Sequence, residues 1–497
     1  MKLKSFDVIV IGAGVAGAAV AREMTKYALS VAVLEKNAEV ACEVTKGTHA
    51  IVHAGLSVNP LTPLKNRGEL MGAAMMGQLC ADLDVKYQRI GKLLVAFDET
   101  QVAQLKALMQ SAKRLGLMDI ELIEDRSRLL EMEPNLNPDV IAALHTPNTG
   151  IVSPWGLVYG LLENAQDNGA SIFVECAVTG IRWDAEAQRF LLDTRQGPFS
   201  AKYVVNAAGP FSDKVAAMVG DTSFQISLTR QEKVIFDKNY QGAVRHVVRM
   251  LNNMGAPGDF ICPTVYGDLM AGVEVKPTDD FDACHTTQPG IEEHVLRSSA
   301  RLIPTIPASA VIRPFSGVLN QCAGTGEFVI RSAPQLPRFL NFVLGGSGLT
   351  ACYAMAQYLS LEVFPTVADA ADLKTRGDFN PCRKDMPHVH DLEPEELAEL
   401  IARDPRYGHV ICRCETVTEG EIVEAIRRGA RSVDGVKFRT RAGMGRCQGG
   451  FCGPRVIAIL SRELQIPPEA VTKKGPGSYM VTALRDDHSV KGEAEHV

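Results

Sequence analysis

The sequence predicts an α/β fold in three parts: a doubly wound parallel sheet, an interleaved and mainly antiparallel sheet, and a small helical domain at the C-terminal end. Three observations predict it. The chain opens on a buried-strand run, a glycine-rich turn and a helix, the start of a βαβ unit. Short strands punctuated by Gly and Pro fill residues 222–335, as in an antiparallel sheet. Cys412 and Cys414, then Cys447 and Cys452, bracket a helical stretch in a segment of their own.

Taken in order, FDVIVI (6–11) is a buried strand, and GAGVAG opens a helix through Met24. SVAVLEK (30–36) is the second strand. Residues 42–68 read as loop and turn, with His49, His53, Gly55, Pro60 and Pro63, and a helix follows from Gly68. KLLVAF (92–97) is a strand and 99–116 an amphipathic helix. WGLVYGLLENAQDNG (155–169) is a helix ending at a glycine stop. Strands follow through VVNAAG (204–209), and a short helix starts near Ser212. After the antiparallel region, 339–364 returns to strand, glycine-rich turn and helix. Residues 372–406, with Pro381, Pro387, Pro394 and Pro405, read as a linker with a short helix at 393–402. Residues 407–465 form the cysteine domain, and the tail from 466 is turn-rich. This gives a first domain of 1–371. One function falls to 1–80, 145–220 and 335–371, and another to about 81–144 and 221–334.

Composition narrows the function classes. The 497 residues are 46% apolar and 22% charged, ordinary for a globular chain. A net charge of −6 gives no case for a nucleic-acid partner. Twelve cysteines are too sparse for a disulfide scaffold, and ligand-spaced pairs suit a reducing compartment. Residues 8–20 are apolar enough to imitate a signal peptide, but Asp7 precedes them and glycines interrupt them. No other stretch is long and apolar enough to span a bilayer. A cytoplasmic location is expected, with docking at the inner face of the membrane through a partner left open.

Gly12, Gly14 and Gly17 form G-x-G-x-x-G between strand and helix, and Val15 and Ala16 complete the turn. The first glycine permits the turn, the second admits a pyrophosphate, and the third lets the helix close on the strand. Glu35 ends the second strand where an acid binds ribose hydroxyls, with Lys36 beside it. FAD is favoured over NAD. A second glycine-rich turn, LGGSGLT, brings Gly345, Gly346, Gly348, Leu349 and Thr350 back late in the chain, and VVNAAG adds Ala208 and Gly209. Each of these two pieces alone also fits a plain αβ turn.

The cysteines form a C-x-C pair and a C-x4-C pair, the ligand set of a [2Fe–2S] cluster. Zinc is the rival, since four cysteines also hold zinc, although C-x-C is unusual there. The other eight (Cys42, Cys80, Cys176, Cys262, Cys284, Cys322, Cys352, Cys382) are scattered and read mostly as buried small hydrophobes. Cys42 falls in a loop expected near the flavin.

On these residues the chain to about 370 resembles the FAD-dependent D-amino-acid-oxidase/glycerol-3-phosphate-dehydrogenase superfamily. VICRCETVTEGEI and RTRAGMGRCQGGFCGPRV resemble the bacterioferritin-associated-ferredoxin-like [2Fe–2S] domain. The whole arrangement is similar to the anaerobic glycerol-3-phosphate dehydrogenase A-type proteins of bacteria. The resemblance implies that GTHAIVHAGL (47–56) runs under the flavin, with Thr48 and His49 near the pyrophosphate or ring and His53 and Gly55 facing it. It implies that Arg313, in IRPFSGV, binds the substrate anion, with Arg331 as a second cation and His53 as base. Arg331 reads equally well as a surface charge, and Tyr266 as a pocket or rim aromatic. Glycerol 3-phosphate is the first expected substrate, a 2-hydroxy acid such as L-2-hydroxyglutarate the second, and an amine or imino acid the third. Electrons are expected to leave through the cluster to a redox partner: a second flavoprotein, a ferredoxin-like carrier or a membrane-linked subunit. The alternative is that the cysteine domain only docks or senses iron. The sequence does not fix an oligomeric state.

Overall fold

A computed structural model describes residues 2–482 apart from 57, 58, 60, 252–256, 279 and 283–285. The described chain separates into two compact units: residues up to 385 without 37–39, and those three with residues from 386 onward. Pro60, Cys284 and the tail beyond 482 lie outside the described residues.

Short, largely apolar strands build the parallel core of the first sheet in unit 1. Val8, Ile9 and Val10 of strand Lys4–Ile11 are fully buried, as expected of a strand covered on both faces. That strand pairs in parallel with Val31–Leu34 on one side and Phe199–Asn206 on the other. Ser171–Phe173 and Phe339–Val343 extend the parallel core. An antiparallel edge, Val178–Asp184 with Arg189–Thr194, takes the other end of strand Phe199–Asn206. Helix Val15–Met24 follows the first strand directly, and helix Gly348–Tyr358 follows Phe339–Val343.

The second sheet has eight strands drawn from two separate stretches of chain. Val311–Cys322, Ile226–Phe236, Leu269–Thr278, Pro257–Pro263 and Val247–Leu251 come from the later stretch. Lys92–Ala96, Ala142–Thr146 and Glu121–Ile123 come from the earlier one. Only the junction of Val247–Leu251 with Lys92–Ala96 is parallel. The sheet is therefore interleaved and mainly antiparallel, as the sequence predicts.

Two expectations need correction. Helix Pro63–Asp82 starts five residues before Gly68, because Pro63 sits in its first turn, where a missing N–H costs nothing. The region 222–335 is not short strands alone: three of its strands run 10 to 12 residues, and Ile291–Leu302 is a helix. That helix buries Val295, Ser299 and Leu302, a helical stripe hidden among turn residues.

Residues 374–383, within the expected linker, run along unit 1. Buried Arg22 donates to Pro381 O at 3.0 Å, and Asn164 and Asn168 donate to Asn380 O. Helix Pro394–Arg403 belongs to unit 2, with helices Glu419–Arg427, Val433–Thr440 and Gly453–Leu464. Thr418 caps the second of these in a reciprocal capping box with Glu421. Part of the tail packs back, with Val471 fully buried. Among the described residues no helix is long and apolar enough to cross a membrane.

Candidate active site and cysteine centre

A cavity of about 1040 Å³ runs through unit 1, at the upper end of the range for ligand sites. Its nucleotide end is made by glycines that nothing else could replace. Gly12 has φ +104°, and a Cβ there would meet Ala207 O at 2.5 Å. A Cβ on Gly17 would sit 1.9 Å from Gly12 O, so the helix closes on the turn only with glycine present. Gly12, Gly14, Val15, Ala16, Glu35 and Lys36 line the cavity, while Gly17 packs behind it. Glu35 Oε2 accepts the Ala13 N–H at 2.9 Å, and Thr45 Oγ1 accepts the Val15 N–H at 3.1 Å. Nothing in the sequence pattern singles out Thr45. Ala208, Gly209, Gly345, Gly346, Gly348 and Leu349 arrive from the two later turns and line the same space. The three glycine-rich pieces thus form one concave backbone cradle, which fits an extended dinucleotide.

Two histidines stand along the same cavity. Thr48, His49 and His53 line the cavity. Thr350 does not; its Oγ1 accepts the His53 N–H at 2.9 Å and fixes that backbone. His49 Nδ1 accepts the Ile51 N–H at 3.2 Å, so neutral His49 carries its proton on Nε2. That nitrogen lies 3.4 Å from His53 Nε2, which is then the acceptor. Burial, the largest cause, holds both histidines well below the usual imidazole range. Arg249 and Lys233 add to this at His49, and His49, Lys92 and Arg249 at His53.

Of the cavity-lining cations that no motif marks, Lys92, Arg249 and Lys65 are the ones near enough to His53 to lower it. Lys92 is 1% exposed, and burial brings its ammonium down to about 7, with Arg249 lowering it further and Glu69 opposing. Arg249 donates to Gly258 O from Nε at 3.0 Å. Phe260 stands against both Arg249 and His49. A signal for them does exist in the sequence. Each of Lys92 and Arg249 is a lone cation in an apolar strand, KLLVA or VVRML, where a charge is costly without a purpose.

The structure does not bring the two expected arginines into the cavity lining. Arg313 is exposed on its strand. It shares a sheet face with Gly317, which abuts Gly47, but stands four residues, about 13 Å, further along. Arg331 is held in a polar network instead. Its Nη2 donates to Ser223 Oγ at 2.5 Å, Ser223 bonds Asp221, and Asn341 donates to Asp221 at 2.9 Å. Gly55, with φ +88°, abuts Leu70 and does not line the cavity. Tyr266 donates its hydroxyl to Ser153 Oγ at 2.7 Å, beside the cap of helix Pro154–Asp167. Cys42, Cys176 and Cys322 line the cavity; Cys80, Cys262 and Cys352 are buried, and Cys382 is exposed.

In unit 2 the four cysteines meet in two close pairs, each taking one member from each motif. Cys414 Sγ lies 3.7 Å from Cys447 Sγ, and Cys412 is hydrogen-bonded by Cys452. That bond is the main reason the Cys412 thiol comes down to about 6. Backbone N–H groups of Phe451 and Gly449 point at Cys447 and lower it too. Among the described residues no three His, Cys, Asp or Glu side chains gather as a single-ion site. Two pairs of thiols ringed by N–H donors fit a cluster of two irons with two thiolates each.

A family model described as FAD dependent oxidoreductase matches residues 7–361, and one described as BFD-like [2Fe-2S] binding domain matches residues 410–462. The chain is 37% identical to the glycerol 3-phosphate dehydrogenase of Caloramator mitchellensis over 96% of its own length and 98% of that protein. It is 23% identical to one of the subunits of the anaerobic glycerol-3-phosphate dehydrogenase of Escherichia coli, over 92% of this chain and 88% of that one. Among solved structures it resembles dithionite-reduced L-alpha-glycerophosphate oxidase from Mycoplasma pneumoniae with FAD bound. The TM-score is 0.71 and the identity 24%, over 78% of this chain and 100% of that one.

Proposed function

Because this chain belongs to the FAD-dependent oxidoreductase family, with FAD and a [2Fe–2S] cluster as its cofactors, we propose that it oxidises glycerol 3-phosphate to dihydroxyacetone phosphate and delivers the electrons to a separate acceptor protein. The observation that carries the substrate is the triad of cations, Lys92, Arg249 and Lys65, in the same cavity as a neutral histidine pair. The near full-length likeness to a glycerol 3-phosphate dehydrogenase supports it.

FAD, when bound, supplies the two-electron acceptor for the carbinol hydrogen. Segments 1–80, 145–220 and 335–371 hold it through Gly12, Gly14, Val15, Ala16, Glu35, Lys36, Thr48, Ala208, Gly209, Gly345, Gly346, Gly348 and Leu349. Gly17 and Thr350 act from behind. Segments 81–144 and 221–334 hold the substrate. Arg249 and Lys92 take the anion, in place of the expected Arg313 and Arg331; Arg313 stands outside the lining on the same sheet face. Fixing the anion orients the carbinol, and orientation supplies a large part of the rate. His53 is the base: its Nε2 lone pair, which accepts from His49 Nε2–H, turns to the substrate hydroxyl and takes its proton once substrate displaces that bond, while His49 fixes the tautomer until then. Cys412, Cys414, Cys447 and Cys452 hold the cluster by which electrons leave. The acceptor is a redox protein, and the reaction site is on the membrane side only if that partner is.

Anaerobic mixing with glycerol 3-phosphate, L-2-hydroxyglutarate and an imino acid in parallel tests the substrate. Bleaching of the flavin by glycerol 3-phosphate at the lowest concentration is expected. Bleaching by the hydroxy acid or the imino acid alone would replace the substrate and leave the rest standing.

A further inference from the structure

The cysteine centre is open on one side only. Cys412 and Cys452 are 1% and 2% exposed, whereas Cys414 is exposed and Cys447 half-buried. The large side chains flanking the open pair face water. Arg413 lies between the first two cysteines, Arg446 adjoins Cys447, and Arg455 is three residues beyond Cys452; all three are exposed. Phe451, immediately before Cys452, is 84% exposed, the most exposed large apolar side chain among those described. The acids of the same segment face inward or are paired: Glu415 is buried against Arg441 at 2.8 Å, and Glu419 is bonded by His409 and Arg462. Residues 410–462 hold ten Lys and Arg against five Asp and Glu, in a chain whose net charge is −6.

A lone exposed phenylalanine is ordinary on a surface, but set beside three exposed arginines and the solvent-reached thiol pair, Phe451 supplies the apolar point of a charged contact face. Charge at an interface steers encounter, while a small apolar contact fixes the docked pose. We infer that Arg413, Arg446, Arg455 and Phe451 form a docking face for an acidic redox protein, one that presents carboxylates around an apolar patch and collects electrons one at a time at the Cys414–Cys447 edge. The inference rests on the reading that electrons leave through the cluster, and it adds the partner's chemistry and the point of contact. The electron balance is simple: each docking event removes one electron from the reduced cluster and reduces one acceptor, with no bond made or broken.

Two one-electron protein oxidants of opposite charge test it: an acidic blue-copper protein and basic cytochrome c. The full-length holoenzyme is reduced anaerobically with dithionite, and reoxidation of the cluster is followed by rapid freezing and EPR at low and high salt. The acidic oxidant is expected to react at least tenfold faster at low salt, and its advantage to shrink as salt is added. The double variant Arg413→Glu/Arg455→Glu reverses the preference. Phe451→Ser slows the acidic oxidant several-fold and leaves its salt dependence unchanged. Arg413→Gln/Arg455→Gln, milder beside the cysteines, gives an intermediate rate with iron content unchanged. Equal rates for both oxidants, or a preference untouched by the arginine variants, overturns the docking face. A cluster that dithionite reduces and substrate does not overturns the electron-exit reading instead, so the two failures are told apart.

Discussion

In the proposed reading, Lys92 is a cation that holds the substrate anion. A buried ammonium near 7 is charged below that pH and neutral above it. The affinity for a phosphate anion therefore weakens as pH rises through 7, and kcat/KM falls on that side. His53 sets the other side: held below the usual imidazole range, it stays neutral and able to accept a proton until well under pH 6.5. A pH profile of kcat/KM should show both limbs. Lys92→Met should raise KM by about 10- to 100-fold, as for a lost charged hydrogen bond, and remove the basic limb. His53→Asn should lower kcat by about 10²- to 10⁴-fold with FAD retained. His49→Asn removes one of the groups that depress His53, so the acidic limb should move up in pH. A profile unchanged by either histidine variant would take the base away from this pair. At this scale the sequence was legible for the glycines, whose spacing carries their mechanism. It was not legible for the anion site. The family resemblance points to Arg313 and Arg331, and only three-dimensional placement sets one outside the lining and the other in the Ser223–Asp221 network. Lys92 and Arg249 carry only the faint signal of a lone cation in an apolar strand, which no motif ties to an anion site.

At the scale of elements, the site depends on how closely two helices approach. Gly72 of helix Pro63–Asp82 lies on helix Gly348–Tyr358, where a Cβ would meet Thr350 O at 2.1 Å. Thr350 is also the group that holds the His53 backbone. Gly72→Ala should therefore destabilise by about 1–3 kcal/mol, as overpacking does, and lower activity beyond the loss of folded protein. Urea unfolding beside kcat on the surviving fraction measures both, and an unchanged kcat would uncouple the helix contact from the histidine loop. The strands, the capped helices and the three glycine turns were readable because each announces itself within a dozen residues. Helix Ile291–Leu302 was not, since its apolar stripe has only a few members between turn-forming segments. The pairing of Val247–Leu251 with Lys92–Ala96 was likewise silent, because contact between strands so far apart in the chain leaves no local periodicity.

For the whole molecule, the claim is that two kinds of redox centre on one chain serve a single flow of electrons. The apolar core of each unit and the separation at residue 385 fit two bodies with their own cofactor. The likeness to a full-length glycerol 3-phosphate dehydrogenase spans both. Anaerobically purified protein should contain two irons and two sulfides per chain with negligible zinc. Titration of that material with glycerol 3-phosphate, read by flavin absorbance and cluster EPR together, is the most direct test. The yellow colour should bleach and a reduced [2Fe–2S] signal should appear within the same additions. Bleaching with a silent cluster that dithionite can still reduce, or zinc in the four thiols, would contradict it.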